Sequence, residues 1–232
     1  MQVNKEHYFK KDYDSLNRFI SYFYQVDLTE EAIQKIQISD PKNPNTSELS
    51  EKSSGRNSIK ILEIGKGNGF FSDYIKKLGY NITTCDFDKN LAPDVVADVR
   101  SLPFKDSSFD IVTAFEILEH IPFEDFPKAL AELRRVASRR VIISVPYKST
   151  FFEFVFRFPG IRTLFKKPFL GFILRWPMKF GGIETSGQHY WEIDSSKYSL
   201  RKVRKILSDH FRIIRELSPT LNPYHYFFVL KK

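Results

Sequence analysis

"IKILEIGKGNGFFSDYIKKLG", residues 59–79, is the stretch of the chain that decides the fold. It begins with an apolar run that predicts a buried strand, and it ends with apolar residues at helical spacing. Between them stand three glycines at alternate positions, Gly65, Gly67 and Gly69. Glycine reaches backbone conformations that bring the chain close to a ligand. The stretch therefore predicts a strand, a ligand-binding loop and a helix in succession.

The alternation of apolar strands with amphipathic helices continues to the end of the chain. Helical spacing recurs in "EDFPKALAELRRVAS" and over 198–209. Further strands are predicted at "NITTCDF", "DVVADV", "FDIVTAF", "RRVIISVP", "FRIIREL" and "YHYFFVLK". This order is typical of an α/β fold with a doubly wound sheet, helices on both faces, and mostly parallel strands. We expect the last strand to be antiparallel.

Two segments precede the α/β domain, and an insertion interrupts it. We expect an N-terminal helical segment over 1–38, in two helices with Thr29 capping the second, and a flexible linker over the polar residues 39–58. The α/β domain then covers 59–232 and contains an insertion at 151–182. This insertion holds nine Phe and six Lys or Arg against one acid. Because prolines and glycines interrupt it, the pattern favours a lid or a helical hairpin over one long helix.

Composition limits the location and the partners of the chain. No apolar run is long enough to span a membrane, no signal peptide is visible, and the single Cys85 excludes an internal disulfide. We therefore expect a cytoplasmic protein. Residues 1–150 carry 21 Lys and Arg against 22 Asp and Glu, whereas residues 151–232 carry 15 against 6. An anionic partner would meet the last third of the chain. The insertion could be a self-packed cap over the active site, or a basic, aromatic surface that contacts a membrane.

Acidic residues on either side of the glycine loop narrow the choice of ligand. Asp86 ends the second predicted strand about twenty residues after the loop, as in sites that bind an adenosine ribose. Enzymes that use NAD, FAD or S-adenosylmethionine share this arrangement. The glycines follow the pattern G-x-G-x-G, and Glu63 stands two residues before the first of them. A carboxylate there disfavours a pyrophosphate and favours a sulfonium ligand that carries an amino group.

The segment "ADVRSLPFKDSSFDIVTAFEILEHI", 97–121, completes a set of motifs. Together with "LEIGKGNG" and "CDFD", it resembles the class I S-adenosylmethionine-dependent methyltransferases, especially the group that contains the ubiquinone and menaquinone methyltransferases. The likeness covers roughly residues 59–146. It implies a Rossmann-like fold that uses S-adenosyl-L-methionine and releases S-adenosyl-L-homocysteine.

The resemblance also implies which residues bind the cofactor. The glycine loop would lie against its methionine part, Asp86 would bind the ribose hydroxyls, and Phe87 would pack on the adenine. Asp98 and the backbone of Val99 would bind the adenine edge. The carbonyl of Phe115 would accept from the amino group. The complete set is Glu63, Gly65, Lys66, Gly67, Gly69, Asp86, Phe87, Asp98, Val99 and Phe115.

The side chain of Lys66 allows two interpretations. Its ammonium could reach the carboxylate of the cofactor, or it could be solvated.

The sequence says less about the acceptor. No Asp/Asn-Pro-Pro-Tyr motif and no cysteine follow the fourth strand, which disfavours methylation of base amino groups and of cytosine C5. Candidate catalytic residues are His120, with Glu119 before it, just past the fourth strand, and His189 and Tyr190, with Glu192, in the segment "GQHYWEID". Tyr147, just beyond the fifth strand, is a third candidate. Each histidine could equally be a structural residue. No pattern predicts a metal site.

The sequence thus predicts a methyltransferase for a small or lipid-like acceptor, methylated at oxygen. Two alternatives stay open, an RNA-modifying methyltransferase and a cofactor-binding scaffold without turnover; nucleic acid is the less favoured partner because the insertion is so rich in Phe and Leu.

Overall fold

The computed structural model describes residues 15–38, 58–166, 168–176, 189–194 and 197–232. Expectations for 1–14, for 39–57 and for 177–188 lie outside the described residues. The described helices are α1 (Leu16–Ile38), α2 (Phe70–Lys77), α3 (Phe126–Val136), α4 (Ile161–Phe165) and α5 (Leu200–His210). The described strands are β1 (Lys60–Ile64), β2 (Asn81–Asp86), β3 (Val95–Val96), β4 (Phe109–Phe115), β5 (Ala137–Pro146), β6 (Thr150–Phe156), β7 (Leu170–Trp176), β8 (Arg212–Leu217) and β9 (His225–Lys231).

Seven of these strands form one sheet, in the order β3-β2-β1-β4-β5-β9-β8. Neighbours from β3 to β5 pair in parallel, whereas β9 runs antiparallel to both β5 and β8. The doubly wound sheet with an antiparallel last strand is therefore confirmed. The strand order reverses beside β1, which places the ends of β1, β2 and β4 at the edge where such sheets bind ligands.

Helices cover both faces of the sheet, as predicted. One face packs against α3 and α5 through a core that includes Phe126, Leu130 and Leu207. The other face packs against α1 and α2 through a core that includes Ile33 and Ile75. Because both faces are buried, the central strands are rich in apolar residues, and this explains the apolar runs in the sequence.

The N-terminal segment differs from its prediction. α1 is one continuous helix, and Thr29 lies inside it with no capping role. Its hydroxyl donates to the carbonyl of Gln25 at 2.7 Å, and its side chain is fully buried. Threonine can satisfy its hydroxyl in this way within a helix. The sequence pattern of a cap was therefore not a sufficient signal for a helix start.

The insertion is also different from the predicted helical hairpin. β6 and β7 pair as an antiparallel ribbon, in which Thr150 lies opposite Trp176 and Phe156 opposite Leu170. Among the described residues between these strands, the short α4 is the one regular element. Phenylalanine and valine favour strands, and a ribbon suits a segment that glycine and proline divide into short pieces. We call residues 150–176 the aromatic ribbon.

The third predicted strand is shorter than its sequence suggests. Of "DVVADV", only Val95 and Val96 pair with β2. Asp94 instead accepts hydrogen bonds from the backbone N–H and the hydroxyl of Thr84, both at 2.8 Å. Asp98 closes a turn with Ser101. Among the described helices, none combines the length and the apolar character that a bilayer crossing requires.

Candidate functional site

The glycine loop crosses the carboxyl edge of the sheet directly after β1. The N–H of Gly65 donates to the carbonyl of Cys85 at 2.7 Å, which ties the loop to the end of β2. Gly65 has a φ of +84°, and a Cβ there would lie 2.0 Å from Cδ1 of Ile117. Both the backbone conformation and the lack of space therefore require glycine. The loop lies close to the residues that follow β4.

Two buried carboxylates stand at the ends of the strands beside this loop. Burial raises the pKa of Glu63 to about 8, and its Oε2 has no hydrogen-bond partner among the described residues. Burial also raises the pKa of Asp86, although backbone N–H groups of Asp88, Gly67 and Lys66 oppose the shift. The N–H of Asp88 lies 3.0 Å from Asp86 Oδ1. The glycine loop and Asp86 therefore come together as the sequence predicted.

Lys66 lies in the glycine loop and Phe87 follows Asp86, and the structure shows what each side chain contacts or exposes. The ammonium of Lys66 donates to the carbonyl of Ala92 at 2.6 Å. Phe87 follows β2 directly, and its side chain is 52% exposed. An exposed aromatic ring beside Asp86 is available to a planar group. Contact of either residue with a cofactor stays a prediction.

The predicted adenine-binding residues lie in the turn after β3. Asp98 accepts from Arg100 at 2.6 and 2.9 Å, and this hydrogen bonding holds the pKa of its carboxyl below the usual value. Arg100 also pairs with Asp125 at 2.6 Å. Val99 is buried. The carboxylate of Asp98 is therefore already engaged, and a ligand would share it with Arg100.

Phe115 is the last residue of β4, and its side chain packs against the core. Its ring packs edge-on against Phe71, with centroids 5.2 Å apart, and lies 6.0 Å from the ring of Phe227. Its backbone nevertheless ends at the carboxyl edge of the sheet, beside β1. A carbonyl contact with a ligand stays a prediction.

A second group of polar residues follows β4. Glu116 adopts a φ of +54°, and Leu118–His120 form a short 3₁₀ turn. Glu119 is fully buried, and neither of its carboxylate oxygens has a hydrogen-bond partner among the described residues. Burial, and then the nearby charge of Glu116, raise its pKa well above the usual value. An ionised carboxylate that is buried without a hydrogen-bond partner costs free energy, and binding a proton or a cation removes this cost.

His189 lies next to this turn, although it is distant in sequence. The rings of His120 and His189 meet edge to face with centroids 4.9 Å apart. Ligand atoms of Glu119, His120 and His189 all lie within 4.8 Å of one another. The structure thus joins the two predicted histidines to one buried carboxylate.

Hydrogen bonds fix the segment that carries His189. Its Nδ1 lies 2.7 Å from Oε1 of Glu192, and the hydroxyl of Tyr224 donates to the same oxygen at 2.9 Å. Burial opposes ionisation of Glu192, but these two hydrogen bonds outweigh it and hold its pKa below the usual value. An ionised Glu192 accepts, so we assign Nδ1 of His189 as the donor; in the neutral imidazole Nε2 then keeps a lone pair.

Tyr190 contributes through its backbone. Its N–H donates to the carbonyl of Glu119 at 2.8 Å, whereas its side chain is 57% exposed. A catalytic role for its hydroxyl stays a prediction. Tyr147 follows β5, and the guanidinium of Arg175 lies over its ring at 3.9 Å from the centroid. Tyr147 thus braces the base of the aromatic ribbon.

Sequence analysis missed the contributions of α1 and β9. The hydroxyl of Ser21 lies 2.8 Å from Nδ1 of the buried His225, whose Nε2 lies 3.5 Å from a carboxylate oxygen of Glu116. Tyr22 accepts from the side chain of Asn68 in the glycine loop at 2.8 Å. No local pattern marks these residues, because they meet only when the helix packs on the sheet. Among these residues, Glu116 is the one that the sequence could have indicated, because it is a second acid three residues before Glu119.

Comparison with known proteins agrees with this geometry. Residues 62–145 match a family described as a methyltransferase domain, and this range includes the glycine loop, Asp86 and Glu119. Residues 62–145 are therefore similar to the methyltransferase domain of the class I S-adenosylmethionine-dependent enzymes. The resemblance inferred from the motifs is therefore confirmed.

Individual relatives are similar over part of their length. A malonyl-[acyl-carrier protein] O-methyltransferase from Erwinia billingiae is 30% identical over 39% of this chain and 39% of its own. A demethylmenaquinone methyltransferase from Streptomyces griseus is 30% identical over 47% of this chain and 56% of its own. The chain thus spans about two-fifths to just over half the length of these methyltransferases.

A solved structure extends the similarity in fold to the whole chain. The magnesium protoporphyrin IX methyltransferase from Synechocystis PCC 6803, with bound S-adenosylmethionine, superimposes with a TM-score of 0.55. The superposition covers 100% of this chain and 86% of that methyltransferase at 16% sequence identity. At this identity the likeness shows the fold alone.

Proposed function

We propose that the protein transfers the methyl group of S-adenosylmethionine to an oxygen atom of a small or lipid-like acceptor. The observation that carries the proposal is the presence, near Ile117, of two polar groups of different chemistry. Gly65 of the glycine loop lies against Ile117, and N–H groups of this loop donate to Asp86. Glu119 and His120 follow Ile117 closely in the chain and meet His189.

The first group fits the cofactor. Glycine lets the loop take a left-handed path at the carboxyl end of β1, and Asp86 is a buried acceptor suited to a pair of ribose hydroxyls. Oε2 of Glu63 is a buried acceptor with no partner among the described residues. Bound here, S-adenosylmethionine would supply the methyl group on a positively charged sulfur. The residues of this edge would hold the donor in line with an acceptor, which accounts for much of such catalysis.

The second group fits an acceptor that must lose a proton. Transfer to a hydroxyl breaks the bond between sulfur and methyl, leaves the electron pair on sulfur as a neutral thioether, and forms an oxygen–methyl bond. The hydroxyl proton must therefore leave. Two imidazoles and a carboxylate at this end of the site suit that requirement. A relative named as an O-methyltransferase supports the choice of oxygen.

The aromatic ribbon supports an acceptor of lipid character. It exposes Phe152, Phe154, Phe156, Phe172 and Trp176, each by more than two-fifths of its surface. Exposed apolar groups of this number on one element are unusual in a surface that meets only water. The insertion also carries an excess of Lys and Arg. We assign the ribbon a role in contacting an anionic membrane surface from which the acceptor is taken.

An acceptor screen tests the activity. The protein is incubated with S-adenosylmethionine and with hydroxylated quinols, phenols, fatty acids and RNA in parallel, and S-adenosylhomocysteine release is measured. We expect turnover with an apolar hydroxyl or carboxylate acceptor and none with RNA. Methylation of RNA alone, or tight cofactor binding without turnover on any acceptor, would contradict the proposal.

Liposome sedimentation tests the ribbon. We expect binding to anionic vesicles that weakens as salt is raised. Replacing Phe152 and Phe156 by Ser should abolish it. The matched control replaces Phe19 and Phe23, exposed on α1, by Ser and should bind as the wild type does. Equal loss in both variants, or no binding by the wild type at low salt, would refute the membrane role.

A further inference from the structure

The strongest feature outside the cofactor side of the site is the cluster of Glu119, His120 and His189. It combines two imidazoles and one carboxylate, drawn from a 3₁₀ turn after β4 and from the segment before α5. Their ligand atoms lie within 4.8 Å of one another. Nitrogen and oxygen donors in this combination bind divalent transition metals in many enzymes.

Glu119 provides an independent indication that a cation belongs there. It is fully buried, yet neither oxygen has a hydrogen-bond partner among the described residues. Most buried polar groups in folded proteins have a hydrogen-bond partner, so a buried group without one suggests that a bound partner is missing from the site. The neighbouring Glu116 also has one buried oxygen without a hydrogen bond. The local surplus of buried carboxylate oxygen favours a positively charged occupant.

The surroundings of His189 match those of a metal ligand. Oε1 of Glu192 lies 2.7 Å from its Nδ1, and the hydroxyl of Tyr224 donates to the same oxygen at 2.9 Å. A carboxylate on the far nitrogen fixes the tautomer and directs the lone pair of Nε2 away from itself. Metal-ligating histidines almost always have such a partner.

We propose that Glu119, His120 and His189 bind one divalent first-row transition-metal ion, such as Zn²⁺ or Mn²⁺, with Glu192 positioning His189. A tetrahedral ion with bonds of about 2.1 Å holds its ligand atoms about 3.4 Å apart. The most separated pair, at up to 4.8 Å, therefore needs to close by about 1.4 Å, a distance that side-chain rotation covers. Three protein ligands leave at least one coordination position open.

The open position gives the ion a role toward the acceptor, and this role rests on the proposed function. A hydroxyl bound to a divalent metal ion is more acidic than a free one. Its proton would pass to solvent before the oxygen takes the methyl group. The imidazoles would then act by holding the ion, and neither would have to accept the proton itself.

Metal binding is tested on the full chain after dialysis against a chelator. Zn²⁺ is titrated by calorimetry, and Co²⁺ is followed by its visible absorption, which reports nitrogen and oxygen ligands. We expect one ion per chain. Glu119→Gln and His189→Ala should each weaken binding by more than about 100-fold, beyond the roughly 10- to 100-fold loss typical of a change in the outer shell. Glu192→Gln should fall within that outer-shell range.

His210→Ala is the matched control, because His210 ends α5 away from the cluster and should leave binding unchanged. Far-UV circular dichroism verifies that each variant is folded, and Glu119→Gln keeps the side-chain shape if His189→Ala does not fold. The proposal is overturned if the wild type binds none of Zn²⁺, Co²⁺ and Mn²⁺ at one per chain. Equal binding by the wild type and the Glu119→Gln variant overturns it too.

Titration of S-adenosylhomocysteine into the same samples separates the two proposals. Binding of the metal ion without S-adenosylhomocysteine would support the metal site and refute the proposed function. Binding of S-adenosylhomocysteine without the metal ion would support the cofactor site and refute the metal site.

Discussion

The close approach of Gly65 to Ile117 gives the sharpest quantitative prediction. Gly65→Ala places a Cβ 2.0 Å from Cδ1 and 2.4 Å from Cγ1 of Ile117, at a φ of +84°. The left-handed backbone costs a non-glycine residue about 1–2 kcal/mol. Displacing the packed Ile117 side chain adds about 1–3 kcal/mol. We therefore expect a loss of roughly 2–5 kcal/mol in unfolding free energy, which lowers Tm by at least about 4 °C in a chain of this size.

Two further variants separate the strain from the clash. Gly69→Ala has a similar φ of +79°, but its nearest neighbour lies 3.5 Å away, so it should cost only the backbone term. Ile117→Ala removes both clashing atoms and leaves Cβ at 3.7 Å. In a double-mutant cycle measured by urea unfolding, Gly65→Ala should cost about 1–3 kcal/mol less in the Ile117→Ala background. Additive losses, or equal losses for Gly65→Ala and Gly69→Ala, would refute the reasoning.

Three more predictions concern buried polar groups. Because burial raises the pKa of Glu63 to about 8 from 4.5, its contribution to stability is complete below pH 4.5 and is lost as the pH rises to 8. Glu63→Gln should remove this fall, seen as a flatter dependence of urea midpoints between pH 5 and 8; parallel curves would contradict it. Trp191 donates to the carbonyl of Leu118 at 3.0 Å inside the core. Trp191→Phe should therefore lower the unfolding free energy by about 1–3 kcal/mol in the same assay, and an unchanged midpoint would show that this bond contributes nothing. Arg175 stacks on Tyr147 and binds the loop before β9, so Arg175→Ala should speed limited proteolysis of the aromatic ribbon while Tm changes little. Cleavage at the wild-type rate would refute that anchoring role.

The position of the glycine loop beside Asp86 could be predicted from sequence because its signals are local. Gly65, Gly67 and Gly69 follow a strand directly, and Asp86 ends the next one. Backbone constraints of this kind are visible in the residue types themselves. The alternation of strands and helices likewise indicated the order of the layers.

The acceptor side could not be predicted in the same way, because its residues meet only through tertiary packing. His189 joins Glu119 across a long separation in sequence, and Ser21 reaches His225 only because α1 packs on the sheet. The positive φ of Glu116 has no signature in the sequence. The helical-hairpin interpretation of the insertion was wrong because interrupting glycines and prolines are compatible with short helices and with strands alike.

The most direct test of the account is calorimetric titration of S-adenosylhomocysteine into the wild type and into Asp86→Asn. Charge-assisted hydrogen bonds contribute about 1.5–3 kcal/mol each, so we expect one binding site per wild-type chain and a Kd at least about tenfold weaker in the variant, with Tm within a few degrees of wild type. Asp106→Asn, a change of the same kind on the exposed surface, should bind as the wild type does. No binding by folded wild-type protein, or equal affinity in Asp86→Asn, would contradict the assignment of this edge of the sheet as the cofactor site.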